Sequence, residues 1–546
     1  MEKRYALGLD FGTLSGRALL VDIQTGRDVA DCVCEYAHGV MDSALPDGTL
    51  LKPDSALQHP QDYLDVLSVI IPGVLKKTGI DPAEICGVGL DFTSCTILPV
   101  DDQLTPLCLQ SRWRHEPHAY VKLWKHHGAN AQAERLNRLA AQRGEDWLAR
   151  YGGRLSSELA LPKLLEILDE APDLYDETFR FIEAGDWIVS LLVGREVHNS
   201  CMAGYKALWN DGYPSEDFLR AVHPRLDSVA RGKLSGDIIP TGTLAGYITE
   251  AGADLTGLVP GTPVAAPIID AHSALPAAGI TRAGQLLMII GTSSCHIVLG
   301  DEEKRVPGIL GMVKDGVLPG WYAFEAGQSC VGDQFDWFVK NCVPAAYQEQ
   351  AKSEGISVHT LLTRLSQTKK PGQHGLLALD WWNGNRSVLM DADLSGLMLG
   401  MTLATRPEDM YRAMIESTAY GTRMIVDNFA ASGVAIDSLY AAGGIAEKNE
   451  MLLQIYADVT GREIRVCDAD QACALGAAIF GASVSGQFDS LTAVIQRCAR
   501  IKDKIYRPIP ENQAIYEQLY ADYVTLHDCF GRGANDVMKR LRARRT

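Results

Sequence analysis

Two segments of this 546-residue chain place small and hydroxyl-bearing residues directly after an apolar run. One is Asp10-Phe11-Gly12-Thr13-Leu14-Ser15, the other Gly291-Thr292-Ser293-Ser294. A Gly-Thr-x-Ser turn gathers backbone N–H groups and hydroxyls around one point, which suits phosphate oxygens. Gly12 and Gly291 leave the backbone uncovered for close approach. Asp10 stands just ahead of the first turn, where a carboxylate can hold Mg²⁺ through water. Taken alone, each turn is better read as a tight hairpin, with Asp10 a local cap. A third cluster, Gly443-Gly444, follows an apolar strand and opens a helix that runs toward Asn449. Paired glycines admit a flat adenine or ribose and a helix N-terminus favours anions, though strand-to-helix punctuation explains them equally. Asp270 ends the apolar run that starts at Pro263. A carboxylate at a strand's C-terminal end points into the ligand crevice of an α/β sheet, where it can take the proton of an attacking hydroxyl. The pattern alone favours a helix-capping Asp over that base. His272 reads as a structural hydrogen-bonding residue.

Positioning these groups falls to strands and helices that alternate along the chain. Both Gly-Thr-x-Ser turns sit between two apolar strands, a hairpin signal, and one hairpin in each half suggests a duplicated architecture. Residues 85–91 and 263–270 read as buried strands. Helical spacing follows Arg406, with Tyr411, Met414, Ile415 and Thr418 on one face, and again follows Asn449, with Leu452, Ile455, Tyr456 and Val459. Strands alternating with helices predict an α/β fold. The length suits two substantial domains, and the Pro/Gly-rich stretch 258–263 predicts a boundary between 1–262 and 263–546.

Composition narrows the function. Hydrophobic residues make up 47% of the chain and the net charge is −17, so a large core is available and a general nucleic-acid binder is disfavoured. A phosphate site is built locally and survives that charge. The 13 cysteines show no paired Cys-x-x-Cys spacing, which predicts reduced core thiols in a cytoplasmic protein. No window approaches a membrane span. The motifs G-x-x-x-x-G-K-[ST], G-x-G-x-x-G, His-Glu-x-x-His and Gly-x-Ser-x-Gly are absent, which removes the main support for Walker, Rossmann, metalloprotease and serine-hydrolase readings. The basic run 535–546 reads as a solvated tail.

The order of the pieces, Asp-x-Gly-Thr-x-Ser, strand-end Asp, Gly-Thr-Ser-Ser, then Gly-Gly before a helix, resembles the actin, hexokinase and heat-shock chaperone superfamily. Within it, Gly396-Leu-Met-Leu-Gly400-Met401 followed by Asp409-Met410 and Ala413-Met414-Ile415-Glu416 resembles the C-terminal signature of the FGGY carbohydrate kinases. Similarity to family members acting on L-ribulose runs through residues 91–101, 121–127, 151–158, 201–209, 324–329 and the Trp/Asn-rich segment 379–386. The resemblance implies two actin/ribonuclease H-like domains, each a mixed sheet with flanking helices, around a deep cleft. It implies ATP, with Mg²⁺, phosphorylating L-ribulose to L-ribulose 5-phosphate in L-arabinose catabolism, with a free sugar as the partner and a homo-oligomer as an open option. By position, Asp270 matches the base; Lys206 and Glu325 match sugar-contacting residues, with Ser94 lining the pocket through its backbone and Trp124 supplying a wall. Gly12, Thr13 and Ser15 match one phosphate loop, Gly291, Thr292 and Ser293 the other, and Gly443, Gly444 and Asn449 the adenosine region. Leu159 and Leu165 stand where the family has Trp, which leaves pocket shape, and so D-ribulose, xylulose or ribitol as acceptors, open. A non-kinase ATPase of the same superfamily is the reading from another class.

Overall fold

The computed structural model describes residues 4–234 and 236–544. Its frame is two seven-stranded sheets with the same internal plan. The first runs Arg27–Glu35, Ser15–Asp22, Tyr5–Phe11, Ile85–Phe92, Pro263–Ala265, Leu244–Tyr247, with Ile268–Ile269 also pairing with Ile85–Phe92. The second runs Gly311–Lys314, Tyr322–Gln328, Ser294–Gly300, Gln285–Ile290, Ser438–Ala442, Ile464–Cys467, Ile501–Tyr506. Matched strand by strand from Arg27–Glu35 and from Tyr322–Gln328, the pairings are antiparallel, antiparallel, parallel, parallel, antiparallel in both. Both expected hairpins are present at equivalent places, so the duplication read from the two turns holds for the sheets that carry them.

The expected strand over 263–270 is instead two short pieces. Pro267 lacks the N–H that a ladder needs, and the chain steps from Pro263–Ala265 to Ile268–Ile269 before entering helix Asp270–Ala277. These strands, which follow the 262/263 boundary, pair with Ile85–Phe92 in the first sheet. The two expected helices are Pro407–Ala431 and Glu450–Thr460, with the named apolar residues buried. Pro407 at the first helical position and the Arg406 N–H donating to Asp409 Oδ2 (3.0 Å) fix the start of the first.

Helix Ala472–Ser483 comes late in the chain yet packs on the first sheet. Its small residues bring backbone against backbone: a Cβ on Gly8, Gly87 or Gly89 would fall 1.9–2.0 Å from carbonyl oxygens of Ala474, Gly481 and Ala477. A smaller four-stranded sheet, Leu57–Gln58, Val121–Lys122, Ile97–Val100 and Arg180–Glu183, has its own apolar core with helices Asn130–Arg143 and Ala160–Glu170. All 13 cysteines are unpaired thiols. The basic tail forms a short helix, Val537–Arg542, and ends outside the described residues. Among the described residues no helix is long and apolar enough to cross a membrane.

Candidate active site

Three carboxylates meet where the central strands of the first sheet end. Asp10 and Asp91 are register partners on Tyr5–Phe11 and Ile85–Phe92. Ile268 pairs with Asp91 from the other side, and Asp270 follows as the first residue of its helix. Burial, then the opposing Arg17 charge (Nε to Asp10 Oδ2, 3.3 Å), set Asp10, whose pKa is raised. Asp91 is fully buried, and burial with the charges of Asp10 and Asp270 pushes it well up. Among the described residues neither of its oxygens meets a donor in full hydrogen-bond geometry, though the Ser273 hydroxyl favours its charged form; as a neutral acid it can donate to Asp10. Asp91 was not foreseen as a site residue, although an acid inside an otherwise apolar strand is itself a signal.

Asp270 lies deep but keeps part of its surface open. Burial first, and then the charge of Asp10, lift its pKa from 3.8 to about 7. The Ala271 N–H donates to Asp270 Oδ1 at 2.7 Å, and its side chain caps no helix. The capping alternative is therefore not what forms: Ile269 occupies the cap position.

Asp270 also feels the charges of an ion pair that sequence distance conceals. Lys206 ends helix Ser200–Lys206, Glu325 lies in strand Tyr322–Gln328, and Lys206 Nζ is 3.4 Å from Glu325 Oε2. Burial works against the Lys206 charge, but Glu325, Cys95 and Glu158 outweigh it and hold its pKa up. Burial likewise opposes the Glu325 charge, and Lys206 with His272 holds its pKa down. His272 is buried, its Nε2 3.3 Å from Glu325 Oε2 and its Nδ1 3.1 Å from Cys201 Sγ, a structural placement as expected. Arg386, 3.8 Å from Glu158, adds a positive charge beside this pair and was not singled out from sequence.

Both hairpin turns are open to solvent and tied down from behind. Gly12 N–H donates to Ser15 O (3.0 Å), Tyr36 Oη–H to Gly12 O (3.0 Å) and Gln58 Nε2–H to Thr13 O (2.8 Å). In the second turn Gly291 N–H donates to Ser293 O (2.9 Å), while Val331 and Gly332 N–H hold Thr292 O and Gly291 O. Among the described residues no protein acceptor meets the N–H groups of Thr13, Leu14, Thr292 or Ser293. A Cβ on Gly12 or Gly291 would meet nothing nearer than its own turn, at 3.5 and 3.8 Å. These are the features of an anion cradle. Trp124 touches the first turn directly, its Nε1–H donating to Thr13 Oγ1 at 3.1 Å.

Gly443 has φ +95°, and a Cβ there would lie 2.7 Å from Ile290 O, the residue before the second turn. Gly444 is exposed with open space beside it. Asn449 accepts from Leu452 N–H (3.0 Å) as a helix cap, which accounts for its side-chain oxygen. Ser94 is half-buried beside Cys95, a residue with φ +52°. Asp10, Asp270, Lys206 and Glu325 thus form one electrostatic unit, with Trp124 at the first turn and Gly443 at the second.

Comparison with known proteins agrees with this geometry. The N-terminal domain of the FGGY family of carbohydrate kinases matches residues 5–276, and its C-terminal domain matches 286–484. A ribulokinase of Geobacillus thermodenitrificans is 52% identical over 99% of this chain and 97% of its own length. One of Bacillus licheniformis is 54% identical over 97% of each. Among solved structures, xylulose kinase of Rhodospirillum rubrum superposes with a TM-score of 0.78 at 23% identity, over 96% of this chain and 98% of that one. With the two domains of the family matching residues 5–276 and 286–484, and relatives more than half identical over nearly the whole chain, this chain belongs to the FGGY family of carbohydrate kinases.

Proposed function

We propose that this protein transfers the γ-phosphoryl group of ATP to the terminal hydroxyl of L-ribulose, giving L-ribulose 5-phosphate for L-arabinose catabolism. The observation that carries the reading is the deep-lying carboxyl of Asp270, the first residue of its helix, beside the register-paired acids Asp10 and Asp91 and within the field of the Lys206–Glu325 ion pair. A group that must meet both a phosphate and an alcohol belongs at such a junction. The names of relatives about half identical over nearly the full chain support the choice of sugar.

In this reading Lys206 and Glu325 hydrogen-bond the sugar's hydroxyl and keto oxygens, Trp124 forms a wall, and the backbone at Ser94 closes the pocket. Asp270 takes the proton of the terminal hydroxyl as its oxygen bonds to the γ-phosphorus and the bond to the β–γ bridging oxygen breaks, leaving ADP. The free N–H groups of Thr13, Leu14, Thr292 and Ser293 stabilise charge on the phosphate oxygens, and Gly443 and Gly444 floor the adenosine site. Residues to 262 supply most of the sugar side and the first phosphate turn, and the rest supply the base, the second phosphate turn and the adenosine side. Asp10 and Asp91, register-paired acids at the strand ends beside the first turn, are the residues that would hold a hydrated Mg²⁺, with Asp10 nearest the turn. When bound, the ion offsets phosphate charge.

The test is kcat/KM by ADP release for L-ribulose, D-ribulose, L-xylulose, D-xylulose and ribitol. L-Ribulose should lead, with the others lower by roughly 10- to 100-fold, since misplaced hydroxyls leave buried partners unpaired. A higher value for another acceptor would reassign the substrate. ADP release indifferent to every sugar would instead favour a non-kinase ATPase.

A further inference from the structure

Lys163 is completely buried in helix Ala160–Glu170. An ammonium has three donors, and this one spends them on backbone carbonyls from two separate segments. It donates to Cys95 O at 2.5 Å, to Leu123 O at 2.9 Å and, more distantly, to Lys122 O at 3.4 Å. The peptide that begins with Cys95 C=O is also gripped at its other end. Thr96 N–H donates to Glu183 Oε2 at 2.8 Å, and Glu183 is itself buried. A buried lysine and a buried carboxyl group, the latter raised by burial to about 7, are therefore joined through one peptide group, the lysine on its oxygen and the carboxyl on its N–H. That arrangement matches the peptide dipole and fixes the plane of the Cys95–Thr96 bond. The plane needs fixing, because Cys95 holds φ +52°, a conformation that costs a non-glycine residue about 1 kcal/mol or more. The next peptide is secured as well: Ala184 N–H donates to Thr96 O at 2.8 Å.

Each end of this clamp adjoins a residue of the acceptor site. Ser94 precedes Cys95 and Trp124 follows Leu123. Neither Lys163 nor Glu183 needs to touch the sugar for the pair to set where those two stand. Burying two ionisable groups is costly, and a helix facing an ordinary apolar core gains nothing from it.

We propose that Lys163 and Glu183 are positioning residues for the sugar site, holding the Cys95–Thr96 peptide and the Leu123 carbonyl so that Ser94 and Trp124 meet the acceptor in register. This rests on the reading of Ser94 and Trp124 as sugar-contacting residues.

The experiment compares full-length Lys163→Met, Glu183→Gln and the double variant with the unaltered protein, reading KM for L-ribulose, KM for ATP and kcat well below each melting temperature. Lys163→Met should raise the sugar KM by roughly 10- to 100-fold, the scale of an ångström-level misplacement, with the ATP KM changed by less than about twofold. Glu183→Gln keeps an oxygen for Thr96 N–H and should raise it by less than about threefold. Should Lys163→Met not fold, the double variant, which leaves no uncompensated buried charge, carries the same expected rise. A sugar KM left unchanged in a folded Lys163 variant, or sugar and ATP KM rising together, overturns the proposal. Trp124→Ala and Lys206→Met are run alongside. If these two leave the sugar KM unaltered, the acceptor-site reading itself fails; if they raise it and the Lys163 variants do not, the clamp alone is wrong.

Discussion

Replacing Asp270 by Asn removes one proton acceptor and one negative charge while hardly changing the side chain's shape. The amide oxygen can still accept from Ala271 N–H, as Asp270 Oδ1 does at 2.7 Å. Local structure should therefore survive. Positioned general bases contribute about 10²–10⁴ in rate, and loss of about 10³ corresponds to ~4 kcal/mol of transition-state stabilisation. Stability should move the other way. In the folded protein Asp270 is raised from 3.8 to about 7, chiefly by burial and then by Asp10. A raised carboxyl pKa stabilises the fold fully below the unfolded value, and that contribution is lost as pH rises through about 7. At pH 8 the charged Asp270 thus costs on the order of 4 kcal/mol, which Asn avoids. Asp270→Asn should melt higher than the unaltered protein at pH 8 and close to it at pH 4, by circular dichroism or scanning fluorimetry. ATP affinity, read by titration, should persist. A folded Asp270→Asn enzyme with kcat/KM within about tenfold of the unaltered one would refute the base assignment.

The same shift predicts an acid limb in the kcat/KM profile for sugar, level above about 7 and falling about tenfold per pH unit below it; a flat profile from pH 5 to 8 would contradict it. Lys206→Met leaves Glu325 buried without its cation, so denaturant unfolding should show a loss of about 3–5 kcal/mol together with a raised sugar KM. Gly443→Ala forces a Cβ to within 2.7 Å of Ile290 O at φ +95°. It should raise the ATP KM more than the sugar KM, since the displaced residue adjoins the second turn. Arg386→Ala breaks a long, partly exposed ion pair with Glu158, and melting should change by less than about 1 kcal/mol.

The parts of the site that were legible in the sequence are those whose chemistry is local. A Gly-Thr-x-Ser turn needs only adjacent residues, so both hairpins could be located from their own strands. Asp270 could be placed at a strand's end but not distinguished from a cap, because that depends on the register of Ile268 beside Asp91. Lys206 and Glu325 are 119 residues apart; nothing short of the resemblance joins them, and either alone reads as a solvated charge. Asp91 was passed over as a strand residue, although its apolar neighbours marked it as a buried acid. Lys163 was visible only as one polar position in an apolar helix, since its partners are carbonyls, which sequence does not display. The continuous strand expected over 263–270 failed at Pro267, a break the residue type itself announces.

Helix Ala472–Ser483 has a consequence for how the enzyme can move. Contributed by the last part of the chain but bedded on glycines of the first sheet, it works as a rivet through both halves. The helix is so closely seated that sliding it along the sheet would drive its carbonyls into Gly8, Gly87 and Gly89. Were the two sheets to shift against each other, the helix would stay with the first, and the chain would have to give in the residues leading into and out of it, near Gln471 and Val484.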